Sequence, residues 1–285
     1  MDWIDEARGI IRREGYRKVL FHLPAGLMRY WTELSTLVEE PVFSAEPCFG
    51  ACDVPLYTFR KLGVDAIISF GHSKPLFLNY PGNVHFVEVE LDFEPGFIPP
   101  CDRVGIVYVV QYRRAAERYA RWLSDRGKTV VMGGKPGFMA TYAGQVTGCD
   151  VEAARRIADE VDCFVVCADG RFHAQAVASL GKPTFNWLGE KVMPPKYPVA
   201  RVFAAEKVGI FVSTKPGQFY MDLALRVRQL LEDRGKKVLL AVGDFIGGEI
   251  ENFGVDVWVS AACPRLAEDF GGVPAQVLLK YLLTK

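Results

Sequence analysis

Arg103-Val104-Gly105-Ile106-Val107 and Lys207-Val208-Gly209-Ile210-Phe211 are one pattern written twice. Each is followed by an amphipathic stretch ending Asp125-Arg126-Gly127-Lys128 or Asp233-Arg234-Gly235-Lys236, and then by another β-rich run. A glycine flanked by basic residues marks a helix C-terminus. A short apolar run without polar alternation is a strand buried on both faces, which implies a parallel sheet covered by helices. A second echo occurs three times, as Val64-Asp65-Ala66-Ile67-Ile68, Val161-Asp162-Cys163-Phe164-Val165 and Val255-Asp256-Val257-Trp258-Val259. Strands are expected over 18–23, 64–70, 85–91, 103–110, 129–132, 161–168, 207–213, 237–242 and 255–261, with helices over 114–126 and 221–234. The pattern predicts an α/β chain of three similar units with parallel sheets, spanning 1–95, 96–198 and 199–285. Proline-rich joints at 95–100 and 194–198 support those boundaries. The competing reading is two larger domains whose strands merely look alike.

The chain has 285 residues, half of them hydrophobic and 24% charged, with 34 basic against 34 acidic side chains. That composition suits a folded protein with a sizeable core. A zero charge balance excludes broad electrostatic capture of nucleic acid or an anionic membrane, and no direct nucleic-acid partner is expected. No charge-free apolar stretch is long enough to span a bilayer. The opening Met1-Asp2-Trp3-Ile4-Asp5-Glu6 lacks the order of a signal peptide, so a cytoplasmic location is expected. Seven cysteines, an odd number, fall at 48, 52, 101, 149, 163, 167 and 263, without the density of a secreted disulfide scaffold.

Aligned on the Val-Asp echo, the cysteines fall into slots. Cys52 lies twelve positions before Val64, and Cys149 twelve before Val161. Both follow a glycine-bearing turn and precede an acidic residue that opens a helical stretch, Asp53 or Asp150. Each thiol is therefore expected at a helix N-terminus, where the dipole favours the thiolate. Cys263 lies eight positions after Val255, leading into Pro264 and a helix. Strand-to-helix turns lie at the carboxyl edge of a parallel sheet, where ligands bind. If the three units face a common centre, Cys52, Cys149 and Cys263 converge there, and three thiolates suit an iron–sulfur cluster or zinc.

The other cysteines read differently. Cys163 and Cys167 share one strand face and read as core, and Cys101, beside a joint, reads as incidental. Cys48 stays open, because Cys48-x-x-x-Cys52 could supply two ligands. The slot of Cys263 is held by His72 in the first unit and Asp169 in the second, in the polar turns Gly71-His72-Ser73-Lys74 and Asp169-Gly170-Arg171-Phe172-His173. His22, inside a strand, and His85, heading one, are not expected to join the site. The turn Ser213-Thr214-Lys215-Pro216-Gly217-Gln218 offers hydroxyl, amide and backbone donors for a carboxylate or ribose. Dinucleotide, P-loop, serine-hydrolase and zincin motifs are absent.

Six motifs in order carry a resemblance: Pro47 to Asp53, Phe70 to Ser73, Gly144 to Cys149, Asp169 to His173, Ser213 to Gln218 and Ala262 to Arg265. Over about 18–270 the chain resembles the archaeal diphthamide synthase family. The resemblance implies three α/β domains, each giving one cysteine to a [4Fe-4S] cluster, which maps to Cys52, Cys149 and Cys263 and demotes Cys48. It further implies that S-adenosylmethionine (SAM) binds the open iron. One-electron reduction then breaks the sulfur–Cγ bond, and a 3-amino-3-carboxypropyl group is transferred to a histidine of translation elongation factor 2. A homodimer and an unidentified electron donor are expected with it. Ser213, Thr214, Lys215, Gly217 and Gln218 are then expected to hold SAM, with His72, Asp169, Gly170, His173 and Arg265 lining the cavity. Against this stand a zinc-dependent or glycosyltransferase-like protein with structural cysteines, a non-catalytic metabolite-binding protein, and a cluster-bearing accessory subunit.

Overall fold

The computed structural model describes residues 2–284. Its strands form three sheets. The first contains β1 (Lys18–His22), β2 (Glu40–Phe43), β3 (Ala66–Phe70) and β4 (Val84–Val87), ordered β2-β1-β3-β4. The second contains β5 (Arg103–Tyr108), β6 (Thr129–Met132), β7 (Cys163–Cys167), β8 (Thr184–Asn186) and β9 (Lys191–Val192), ordered β6-β5-β7-β8-β9. The third contains β10 (Lys207–Ser213), β11 (Lys237–Gly243), β12 (Val257–Ser260) and β13 (Val273–Pro274), ordered β11-β10-β12-β13. Every pairing is parallel except β8 with β9. One strand order thus occurs three times, with β9 as an antiparallel addition to the second sheet.

The echoes have a physical cause. In each sheet the aspartate precedes the third strand and its carboxylate accepts backbone N–H groups at the start of the first strand. Asp65 takes those of Arg17 and Lys18 (2.8 Å each), Asp162 that of Arg103 (3.0 Å), and Asp256 those of Glu206 and Lys207 (2.9 and 2.8 Å). These bonds hold the Asp65 and Asp256 carboxyls below their ordinary range, and Asp162 is held down first by the Arg103 side chain and then by its N–H. The repeated glycine makes room for an aromatic ring on the neighbouring strand. Gly105 pairs with Phe164 and Gly209 with Trp258, and a Cβ on either glycine would lie 2.7 or 2.4 Å from that ring.

The expected strands are all present, two with the expected ends and the rest with ends shifted by one to four residues, whereas β2, β8, β9 and β13 were not foreseen. Those four have two to four residues each and carry Pro41, Asn186, Lys191 or Pro274, so they lack a long β-branched signature. The expected helices appear as α4 (Arg113–Ser124) and α8 (Met221–Glu232). The remaining helices are α1 (Asp2–Glu14), α2 (Trp31–Ser35), α3 (Leu56–Leu62), α5 (Glu152–Arg155), α6 (Phe172–Ala178), α7 (Val199–Ala204), α9 (Pro264–Asp269) and α10 (Ala275–Leu283).

The chain divides into two compact bodies, with the break between Pro194 and Pro195. The joint at 95–100 lies inside the first body because the first two sheets are tied together. Gln145 Nε2 donates to Ser73 Oγ (2.8 Å), Thr141 Oγ1 to the Lys74 carbonyl (2.6 Å), and Gln111 Nε2 to the Gly71 carbonyl (2.7 Å). The second body holds the third sheet alone, with Val208, Ile210, Val259 and Leu278 fully buried in its core. Among the described residues, no helix is long and apolar enough to cross a membrane.

Candidate metal centre

In each sheet the turns beyond the strands' carboxyl ends carry the singled-out cysteine. Cys52 follows β2, Cys149 follows β6 and Cys263 follows β12. The first loop is the most heavily built. Cys52 sits in a single 3₁₀ turn, Ala51–Asp53, and is 9% exposed. Asp53, 3% exposed, folds its carboxylate back onto the N–H groups of Phe49 (2.9 Å) and Gly50 (3.2 Å). Tyr80 donates its hydroxyl to the Ala51 carbonyl (2.5 Å), and its own pKa is driven up, mainly by burial and then by Cys52 and Asp53.

Asp150 repeats the device of Asp53. At 4% exposure it accepts from the N–H groups of Met139 (2.8 Å) and Glu152 (3.2 Å). The Cys-Asp dipeptide is therefore a self-folded loop more than a helix start. The corresponding expectation for Cys149 is corrected twice. α5 has only four residues and begins three positions later, and burial pushes the Cys149 thiol up, against a smaller lowering by Thr147. Thr147 Oγ1 lies 3.3 Å from the Cys149 sulfur. Phe172 presses against the neighbouring backbone so closely that a Cβ at Gly148 would lie 1.9 Å from its ring. Cys263 is itself the N-cap residue of α9, with Pro264 in the first turn, and its carbonyl accepts from Ser260 Oγ (3.1 Å). Tyr197 is pushed up to about 12 by burial, then by Glu268 and Cys263.

The remaining expected residues are distributed over both bodies. His72 sits two residues beyond β3 with little exposed surface. Burial, then His22, hold its pKa down to about 4. Asp169 is exposed two residues beyond β7 and accepts from Tyr112, while Gly170 turns the chain at φ +67°. His173 lies in the first turn of α6 with its ring edge-on to Phe172. In the second body, Ser213 closes β10 and is 1% exposed. Its hydroxyl accepts the Lys215 N–H (3.2 Å) and donates to the Asp244 carbonyl (3.4 Å). Thr214 Oγ1 donates to Asp244 Oδ1 (3.3 Å), Gly217 has φ +73°, and Lys215 and Gln218 are each 6% exposed. Arg265 Nε lies 3.8 Å from Asp269 Oδ2 one turn along α9.

Two readings of the other cysteines and histidines change. Cys101 is not partnerless and Cys163 is not plain core. They form a disulfide with Cα atoms 6.3 Å apart, clipping the approach to β5 onto the first residue of β7. Cys167 remains a buried thiol, its pKa driven up by burial. His22, set aside as a strand residue, lies against Cys48 in the first cysteine loop, with Cys48 Sγ 3.4 Å from His22 Nδ1. The missed signal was position: His22 is the last residue of β1, at the edge that carries the loops.

Among the described residues, no group of three or more His, Cys, Asp or Glu side chains is close enough to hold a metal ion. Only two of the three singled-out cysteines belong to the first body, so neither body alone carries the full set. The donors still fit an iron–sulfur cluster in kind. All three are thiols on turns and outside any disulfide, and burial disfavours the bare thiolate of Cys149.

Three like-ordered sheets, each with one such cysteine on a turn beyond a strand's carboxyl end, mark a chain of a repeated α/β class. Comparison with known proteins identifies which. The family described as "Putative diphthamide synthesis protein" matches residues 23–188 and 190–272, and the chain belongs to that family. Among its relatives is the 2-(3-amino-3-carboxypropyl)histidine synthase of Pyrococcus horikoshii, 27% identical over 94% of this chain and 85% of the relative. Subunit 1 of the same-named synthase of Gallus gallus is 25% identical over 94% of this chain and 72% of its own length. The fold matches the crystal structure of Dph2 from Pyrococcus horikoshii with a 4Fe-4S cluster, at a TM-score of 0.83 and 23% identity, covering 98% of this chain and 90% of that one.

Proposed function

We propose that this protein is an enzyme of diphthamide formation, transferring the 3-amino-3-carboxypropyl group of SAM to a histidine of translation elongation factor 2. The observation that carries the reading is the placement of Cys52, Cys149 and Cys263, one on a turn beyond the carboxyl end of a strand in each of three like-ordered sheets. The family and the named activity of the Pyrococcus horikoshii relative support it. In this reading the three thiolates hold a [4Fe-4S] cluster and leave one iron open. When bound, the cluster supplies the single electron that opens the sulfur–Cγ bond of SAM.

The chain's own residues do the rest. Lys215 places a buried ammonium in the loop that begins at Ser213, which supports binding of the SAM carboxylate there. Ser213 and Thr214 brace that loop on Asp244, with Gly217 and Gln218 completing it. His72, neutral above about pH 4, is available to line the cavity without repelling the SAM sulfonium. Asp169, Gly170, His173 and Arg265 complete the lining. The reading includes a homodimer in the cytoplasm, served by an electron donor still to be identified.

The test uses anaerobically purified protein with dithionite and SAM. Methylthioadenosine, together with a 3-amino-3-carboxypropyl adduct on one histidine of added elongation factor 2, is the expected result. 5′-Deoxyadenosine as product would contradict the choice of bond.

A further inference from the structure

The first cysteine loop contains a buried group that the proposed chemistry does not use. His22 is fully buried at the end of β1, and its register partner on β3 is Ser69, also fully buried. Ser69 Oγ lies 3.1 Å from His22 Nδ1, and Cys48 Sγ lies 3.4 Å from the same nitrogen. On the other side of the ring, Nε2 lies 3.3 Å from the Pro47 carbonyl. A carbonyl only accepts, so the Nε2 contact requires Nε2 to carry hydrogen. In the neutral ring Nδ1 then accepts, and both of its neighbours, a hydroxyl and a thiol, can donate to it. His72 reinforces the arrangement from the turn after β3, with its Nδ1 3.9 Å from Cys48 Sγ and a hydrogen bond with the Phe49 backbone.

We infer that His22 is the positioning residue of the first cysteine loop: as the neutral Nε2–H tautomer it ties Pro47 and Cys48 to strands β1 and β3 and so fixes where Cys52 stands. The anchors then run through the whole loop. Pro47 and Cys48 are held by His22, Phe49 and Gly50 by Asp53, and Ala51 by Tyr80. Cys48 is a tether in this scheme and its thiol stays on the imidazole, which gives it a role distinct from that of a ligand. Eight residues separate β2 from Cys52, so the loop needs internal supports to present its sulfur in one geometry.

The cluster half of this inference rests on the proposed function, and the loop half does not, so the test reads both. In the metal-free protein, iodoacetamide alkylation of each cysteine is followed by mass spectrometry. His22→Leu is expected to speed alkylation of Cys48 and Cys52 about tenfold, the scale of one net hydrogen bond, and to leave Cys149 unchanged. His22→Gln, which keeps a donor for the Pro47 carbonyl, is expected to restore most of the protection. If His22→Leu exposes Cys149 as well, it has unfolded the body, and Ser69→Ala, which removes only the Nδ1 partner, takes its place with a smaller rise confined to Cys48 and Cys52. In the reconstituted protein, the same variants are expected to lose iron to a chelator about tenfold faster than the parent, and Cys48→Ser is expected to keep the full iron complement.

Unchanged alkylation of Cys52 in both His22→Leu and Ser69→Ala would overturn the inference. Loss of iron in Cys48→Ser with Cys52 protection intact would also overturn it, by making Cys48 a ligand. A parent protein that takes up no iron but shows the expected alkylation pattern would refute the cluster and leave the positioning role standing.

Discussion

Cys52 and Cys263 reach the carboxyl edges of their sheets by opposite means. Cys263 stands three residues beyond β12 and caps α9 directly, so the strand, Pro264 and a single Ser260 bond place it. Cys52 stands at the end of a loop and depends on His22, Asp53, Tyr80 and His72. A ligand placed by a strand end inherits the rigidity of the sheet. One placed by a loop has its geometry set by side chains, and each of those is a separate point of failure. The difference predicts that damage to supporting residues is large at the first cysteine and small at the third.

The largest effect concerns pH. His72 titrates at about 4 where it sits, against an ordinary value near 6.5. The unfolded chain therefore binds the proton first, and stability is lost as pH falls from about 6.5 through about 4, up to about 3 kcal/mol in all. Urea denaturation of the metal-free protein at pH 7 and at pH 4.5 should show this loss, and His72→Gln should remove most of it. Next, Asp53→Ala strips the N–H groups of Phe49 and Gly50 of their buried acceptor and should cost about 2 kcal/mol, measured the same way. By contrast, Ser260→Ala removes one bond at Cys263 and should cost about 1 kcal/mol or less. Equal losses for Asp53→Ala and Ser260→Ala would break the contrast between loop and strand end. The smallest effect belongs to the repeated aspartates. Asp65, Asp162 and Asp256 have lowered pKa values, so what they contribute is present above the ordinary carboxylate value and lost as pH falls through the lowered ones. Asp256→Asn should lower stability slightly at neutral pH, where the carboxylate's contribution is present, and flatten the acid limb of the stability curve below about pH 4.

The repeats were legible because their causes are local. Val-Asp marks a carboxylate that ties two strands, and Val-Gly-Ile marks a glycine facing a ring, so the like order of the sheets could be read three times over. The slots of Cys52, Cys149 and Cys263 were visible for the same reason. What escaped the sequence depends on distant pairing. His22 meets Cys48 across 26 positions, and Cys101 meets Cys163 across 62. The short strands β8, β9 and β13 exist because a neighbouring strand offers them partners, and nothing in their composition announces it.

The central claim of the proposed function is that Cys52, Cys149 and Cys263 are all ligands of one cluster. Iron and sulfide analysis of anaerobically reconstituted parent, Cys149→Ala and Cys263→Ala proteins tests it most directly. The account predicts a full [4Fe-4S] complement in the parent and loss of the stable cluster in each variant. A Cys263→Ala protein that keeps the parent's iron and sulfide would contradict it, because Cys263 would then not be a ligand.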